Sequence, residues 1–255
     1  MASLAGVLPL ENPNAIGSAL TSFSPSWHHL LGTDELGRDL LSRVIYGARV
    51  SLLVGFGSTA LALVVGGPLG LVAGYAGGWV AGVIDTAGTA MLAFPALVLA
   101  MVAIAVLGPN PATVIVILGV LAIAPLARVI RINTSAVATR NYVLAARASG
   151  ASGTRIVVRE IMPNVSPQIL AYCLVSVAVL IVAEGSLSFL GLSVRPPTPT
   201  WGSMIAEGRL TLGKDPYVAL WPSLALFGTV LALNSLAGHL RWPGRGSPTV
   251  AGVEP

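Results

Sequence analysis

Charge is scarce in this chain. Only 9% of its 255 residues are Asp, Glu, Lys or Arg, against 55% hydrophobic residues. An ordinary soluble domain carries about 25% charged residues. With a mean hydropathy of +0.83, the natural solvent for this surface is the bilayer. Cysteine is almost absent: Cys173 stands alone, which excludes an intrachain disulfide and a cysteine-based metal cluster. Lysine is equally rare, with Lys214 the single one among fourteen basic residues. The net charge of +4 would hint at nucleic acid in a soluble protein. Here the arginines read as membrane-topology signals, and no nucleic-acid partner is expected. No G-x-x-x-x-G-K-[ST] phosphate loop occurs either.

What is abundant is long apolar sequence. A spanning helix needs about 20 mostly apolar residues, and from Val50 to Gly108 the only charge is Asp85. Spans are expected at roughly 50–75, 87–108, 113–130, 168–191 and 217–240. The stretches are unbroken and lack period-2 alternation, so they read as helices rather than barrel strands. The fold class expected is an all-α integral membrane protein with five transmembrane helices.

The polar connection 132–167 holds Arg140, Arg147, Arg155 and Arg159, with Arg128 and Arg131 at its entrance. Cytoplasmic loops carry the excess of Lys and Arg, which puts this loop inside. The tail 241–255, with Arg241 and Arg245, then also falls inside, and segment 1–49 outside. That outside segment holds Arg38, Arg43 and Arg49, and "MASLAGVLPL" is too short to span. Either the segment is translocated unaided, or a sixth span expected upstream is missing or shortened here; the second reading is favoured. Within the segment, 33–49 reads as an interfacial helix capped by Thr33, with Leu40, Leu41, Val44, Ile45 and Ala48 on one side. Arg43 and Tyr46 are expected toward headgroups or water. His28 and His29, lacking other ligands nearby, are expected to face solvent. In the outside loop 192–216, Pro196, Pro197 and Pro199 forbid a regular helix, Trp201 suits the membrane interface, and 201–210 suits a short surface helix.

The stretch "LAARASGASGTRIVVREIMP", residues 144–163, is unusual in so apolar a chain. Gly150 and Gly153 divide it into helix, turn, helix. Ala145 and Ala146 permit close packing, Ile156, Val157 and Ile161 form an apolar side, and Pro163 is expected to end the second helix. Such a hairpin suits a groove on a soluble partner, or a lipid surface.

These residues resemble the coupling motif of ABC importer permeases: Glu-Ala-Ala, a glycine four residues on, then Ile-x-Leu-Pro. The matching positions are Ala145, Ala146, Gly150, Ile161 and Pro163, with Leu144 in place of the glutamate and Met162 in place of the leucine. "LGTDELGRDLLSRVIYGARVSLLVG", "LAFPALVLA" and "SLSFLGLSVRPPTPTWGSMIAEGR" add a resemblance to the dipeptide, oligopeptide and nickel branch, in the right order over about 31–240. The stretch "AGVIDTAGTAM" and the terminus "NSLAGHLRWPGRGSP" depart from the family's usual charge pattern. The resemblance implies a type I importer permease fold over 50–240, with 144–163 as the ATPase-coupling hairpin. It also implies a homologous second permease, two ATP-binding-cassette ATPase subunits and an extracytoplasmic substrate-binding protein as partners, in a bacterial or archaeal plasma membrane. ATP-Mg would sit in those ATPases, with no cofactor or metal on this chain, and the solute would be a peptide or related small molecule.

Other residues weigh less. Glu184 lies inside the fourth span, where a carboxylate is costly, and is a candidate for gating or translocation; the resemblance also places an acid there. Asp85 reads as interfacial. Pro68, Pro95, Gly66, Gly67 and Gly70 mark kinks or close helix contacts. "GASG" would suit the nucleophile of a rhomboid-like intramembrane serine protease, with Ser152 and His239 as its pair, but the serine falls in an arginine-flanked loop. An ion-coupled secondary transporter is the other alternative; no midplane ion site or inverted repeat is legible.

Overall fold

The computed structural model describes residues 11–16 and 24–241, and every described element is helical. In chain order these are α1 (Leu40–Ala76), α2 (Gly78–Leu92), α3 (Ala96–Leu107), α4 (Pro111–Ala138), α5 (Asn141–Ala148), α6 (Gly153–Ile156), a π-helical turn (Val157–Ile161), α7 (Met162–Phe189), α8 (Trp201–Gly208), a 3-10 turn (Arg209–Thr211) and α9 (Tyr217–Arg241). Four stretches are long and apolar enough to cross a membrane: Leu40–Ala76, Pro111–Ala138, Gly153–Phe189 and Tyr217–Leu240. In place of the single span expected at 87–108 stand two helices, α2 and α3, meeting at 74°. Pro95 is the N-cap of α3; it has no N–H to continue α2, and it biases the residue before it away from helical geometry. All of the expected tail 241–255 beyond Arg241, and the opening "MASLAGVLPL", lie outside the described residues.

The interfacial helix expected at 33–49 is not a separate element. Residues 31–39 form a folded turn, with Gly32 and Gly37 at φ 82° and 70°. The Asp34 side chain accepts from the Leu36 and Arg38 backbones at 3.0 Å each. Asp39, not Thr33, is the N-cap: its carboxylate accepts the Ser42 N–H at 2.8 Å. From Leu40 the helix runs on through Pro68 and ends only at Gly77, at φ 62°. Interfacial segment and span therefore fuse into one helix about 55 Å long at 1.5 Å per residue, longer than the roughly 30 Å hydrocarbon core.

α1 and α4 form the spine. A Cβ added at Gly66 would stand 2.9 Å from Ile123 O, at Gly70 2.6 Å from Ala127 O, and at Gly74 2.5 Å from Thr134 Cβ. The three glycines fall one turn apart on one face, which lets the backbones touch. In hydrocarbon, where apolar burial gives helices little reason to associate, such close contact is the main attraction. Val54, Leu118, Leu126 and Ile130 complete this core with Leu187 of α7 and Ile104 of α3. Outside, Val64, Trp79, Val106 and Phe227 are largely exposed, as befits a surface solvated by lipid or by another apolar chain.

Candidate functional site: a capped hairpin at one end of the bundle

The hairpin foreseen at 144–163 exists, and its tip is built by local chemistry. α5 ends in a Schellman turn. The Gly150 N–H donates to Arg147 O at 3.1 Å, and the Ala151 N–H reaches back to Ala146 O at 3.1 Å. Gly150 takes φ 79°, the left-handed conformation that glycine adopts without steric cost. Ser152 then caps α6, its hydroxyl accepting the Arg155 N–H at 3.4 Å.

The base of the hairpin is bolted to the bundle. Val143, Ile156, Ile161 and Val165 are buried with Ala138 at the end of α4, and Leu71 and Tyr75 of α1 pack on them. Arg147 lies over the Tyr75 ring at 5.1 Å. A Cβ at Gly153 would come within 3.2 Å of the same ring. The apolar side expected to meet a soluble partner is thus used to fasten the hairpin to its own chain.

The five residues singled out by motif do not share one surface. Ala145 and Gly150 are exposed on α5 and the turn, Ala146 is half-buried against the base, Ile161 is fully buried, and Pro163 is exposed at the root. Pro163 does not end the second arm. The helix passes through it by widening: the Met162 N–H donates to Val157 O, five residues back. A π turn gives the proline ring room where an α turn would press it on a carbonyl. Outward on the same hairpin stand Tyr142, Leu144, Val158 and Met162, each more than 40% exposed. These exposed apolar side chains were missed in the sequence; their only signal was an apolar residue off the buried spacing of an otherwise polar loop.

Glu184 is wholly enclosed at 0% exposure. Its Oε1 accepts from Ser188 Oγ at 2.8 Å and Ser193 Oγ at 2.7 Å, while Ser51 Oγ of α1 lies 3.5 Å from Oε2. Ser51 Oγ in turn accepts the Trp201 N–H at 3.2 Å. The carboxylate therefore ties α7, α1 and the start of α8 together, and the hydroxyls gathered on it are what make so buried an acid tolerable.

At the end of α1 opposite the hairpin lies a charge cluster that includes Arg43, which the sequence had assigned to headgroups or water. Arg43 is 2% exposed. Arg38 Nε donates to Asp34 Oδ2 at 2.7 Å, and Arg38 and Arg43 each donate through Nη2 to Glu207 Oε2 at 3.1 Å. His29 does not face solvent freely: its Nδ1 sits 3.1 Å from Asp39 Oδ1. Trp201 is buried rather than interfacial, its Nε1 donating to Val44 O at 3.0 Å. The short helix expected at 201–210 forms, as α8 and the following 3-10 turn, and is pinned by these pairs onto α1.

Asp85 is paired, 2.9 Å from Arg131 Nε. The protease alternative loses its pair: Ser152 is spent on capping, and His239 Nδ1 contacts its own helix at Ser235 O, 2.7 Å away, with no hydrogen bond between the two residues.

Known proteins bear on this arrangement. Residues 66–241 match the family described as binding-protein-dependent transport system inner membrane component. The chain is 37% identical over 235 residues to the glutathione transport system permease protein GsiD of Pectobacterium atrosepticum, and 40% identical over 235 residues to GsiD of Escherichia coli, covering 92% of this chain and 78% of each relative. It is 34% identical over 217 residues to the dipeptide transport system permease protein DppC of Alkalihalophilus pseudofirmus, covering 85% of this chain and 71% of that one. A solved structure of the inward-facing MetNI methionine ABC transporter shares the fold, with TM-score 0.60 at 20% identity, over 79% of this chain and 95% of the other. The hairpin, the helical bundle and these matches agree: the chain belongs to the binding-protein-dependent transport system inner membrane components, and is a multi-pass permease of the ABC importer type.

Proposed function

We propose that this permease forms half of a solute pathway in a bacterial inner membrane and is driven through the 144–163 hairpin by a cytoplasmic ATPase. The second half would be a homologous permease, an extracytoplasmic binding protein would deliver the solute, and two ATPase subunits would hold ATP-Mg and hydrolyse it. This chain would catalyse no reaction of its own. Glutathione or a small peptide is the solute class that fits the relatives' names. One observation carries the reading: a rigidly capped tip of small residues stands exposed while its base is locked to both α1 and α4. A partner that grips Ala145, Gly150 and the exposed Leu144 pulls on Ile161 and Val143, and through them on Tyr75 and Ala138. Ile161 serves as the fulcrum in this scheme, and Pro163 with its wide turn as the joint to α7. Glu184, tying α1 to α7 and α8, would carry the movement onward as a gating element.

The test is co-purification of the tagged chain from its native membrane in mild detergent. The unaltered chain is expected to bring down an ATPase subunit in stoichiometric amount. Gly150→Glu should lose it, but glutamate at positive φ also strains the turn. Ala145→Glu therefore accompanies it: that position is exposed and helical, so its effect reports contact alone. Retention of the ATPase by Ala145→Glu would remove the hairpin from the interface, and its absence from the unaltered chain would overturn the importer reading.

A further inference from the structure

The broken helix α2–α3 is held to the bundle by few buried side chains. α2 buries only Ala81, and α3 only Ala100 and Ile104. Between α2 and the α1–α4 spine remains a cavity of about 250 Å³, with apolar walls from Leu69, Met91 and Ile123. Tight packing therefore does not fasten α2. Two polar contacts do: Asp85 Oδ1 to Arg131 Nε at 2.9 Å, and Arg128 Nη2 donating to Thr89 Oγ1 at 2.9 Å. Asp85 and Thr89 are one turn apart on α2, and Arg128 and Arg131 one turn apart on α4, so the contacts form a two-point clasp. Both partners of the ion pair keep about a third of their side chains exposed, 33% for Asp85 and 29% for Arg131. Such partly exposed pairs are weak, although Arg131 Nε itself is enclosed. The Asp34–Arg38 pair, at 6% and 9%, is far better enclosed.

The clasp also sits on a direct mechanical line. Arg131 lies about two turns before the end of α4, and Ala138 at that end packs in the hairpin base. We propose that Asp85 and Arg131 are positioning residues for transport: an ionic tether through which α4, moved by the hairpin, releases or recaptures the broken helix α2–α3. The part assigned to the hairpin rests on the function proposed above; the tether itself does not. The cavity supplies the free space such a movement needs, and the break before Pro95 supplies its hinge.

The structure offers a probe beside the clasp. A Cβ at Gly88 would lie 3.6 Å from Ala124 Cβ, within the range of about 3.5–4.5 Å that a disulfide bridges. In a Cys173→Ala background, Gly88→Cys with Ala124→Cys should cross-link on mild oxidation in permeabilised native membranes. Adding Asp85→Asn should slow the cross-link about two- to fivefold, because α2 dwells less on α4. The exchanged pair Asp85→Arg with Arg131→Asp should restore the rate, which a loss of folding would not allow. ATP with vanadate should change the parent's rate by a similar factor. An unchanged rate in Asp85→Asn overturns the tether, whatever the chain transports. An unchanged rate with nucleotide, in membranes from which the ATPase co-purifies, overturns its movement during the cycle. Absence of the ATPase is a failure of the importer reading alone, and the Asp85 comparison still decides the tether.

Discussion

Replacing Gly70 with alanine should destabilise this bundle, although alanine is the better helix former. The new methyl carbon would stand 2.6 Å from Ala127 O and 2.7 Å from Ile130 Cβ. Carbon atoms prefer separations of about 3.5–4.0 Å, so α1 and α4 must move apart by about 1 Å along their closest line. Overpacking of this kind costs about 1–3 kcal/mol. The gain in helix propensity returns about 1 kcal/mol, leaving a net loss of up to about 2 kcal/mol. For a chain of this size that corresponds to a fall in Tm of up to about 8 °C. Gly228, in α9, is the control, because a Cβ there meets nothing within 4 Å. Gly228→Ala keeps the propensity gain without the clash and should raise Tm by up to about 4 °C. The assay is the fraction of monodisperse protein surviving a temperature series in detergent. If both variants shift in the same direction by the same amount, the glycine stripe is not what holds α1 on α4.

Two further outcomes follow from the buried charges. Glu184→Leu should leave the Ser188, Ser193 and Ser51 hydroxyls short of their acceptor and lower thermal stability by about 2–4 kcal/mol, while Glu184→Gln, which keeps a carbonyl oxygen, should lose less than half as much; equal losses would mean that side-chain volume, not hydrogen bonding, matters there. Glu207→Ala removes the acceptor shared by Arg38 and Arg43. Because the Glu207 side chain is 38% exposed, the loss should be about 1–2 kcal/mol rather than that of a fully enclosed pair, and limited proteolysis should show earlier cleavage near α8; resistance equal to the parent would count against the clamp.

The membrane class, four of the spans and the turn at Gly150 were legible because they depend on local quantities. Hydropathy over about 20 residues decides what dissolves in lipid, and a glycine between two helix formers marks a turn. The matched motif at 145–163 added the hairpin's family but not its geometry. Arg43 read as a headgroup contact because its two acidic neighbours are remote or hidden: Asp34, 3.5 Å from its Nε, is folded back by a turn, and Glu207 comes from a segment more than 160 residues away. His29 and Trp201 were misplaced for the same reason, since their partners, Asp39 and Val44, become neighbours only once the 31–39 turn and α8 are packed.

Sequence thus specified which segments enter the membrane and where the hairpin turns, through transfer free energy and backbone conformational preference, both set by neighbours along the chain. Packing of α4 against α1 specified the rest: which side of the hairpin is buried, and how Asp85 finds Arg131 across a loosely filled gap. Those are long-range pairings. Their energies depend on distances that no single stretch of residues contains.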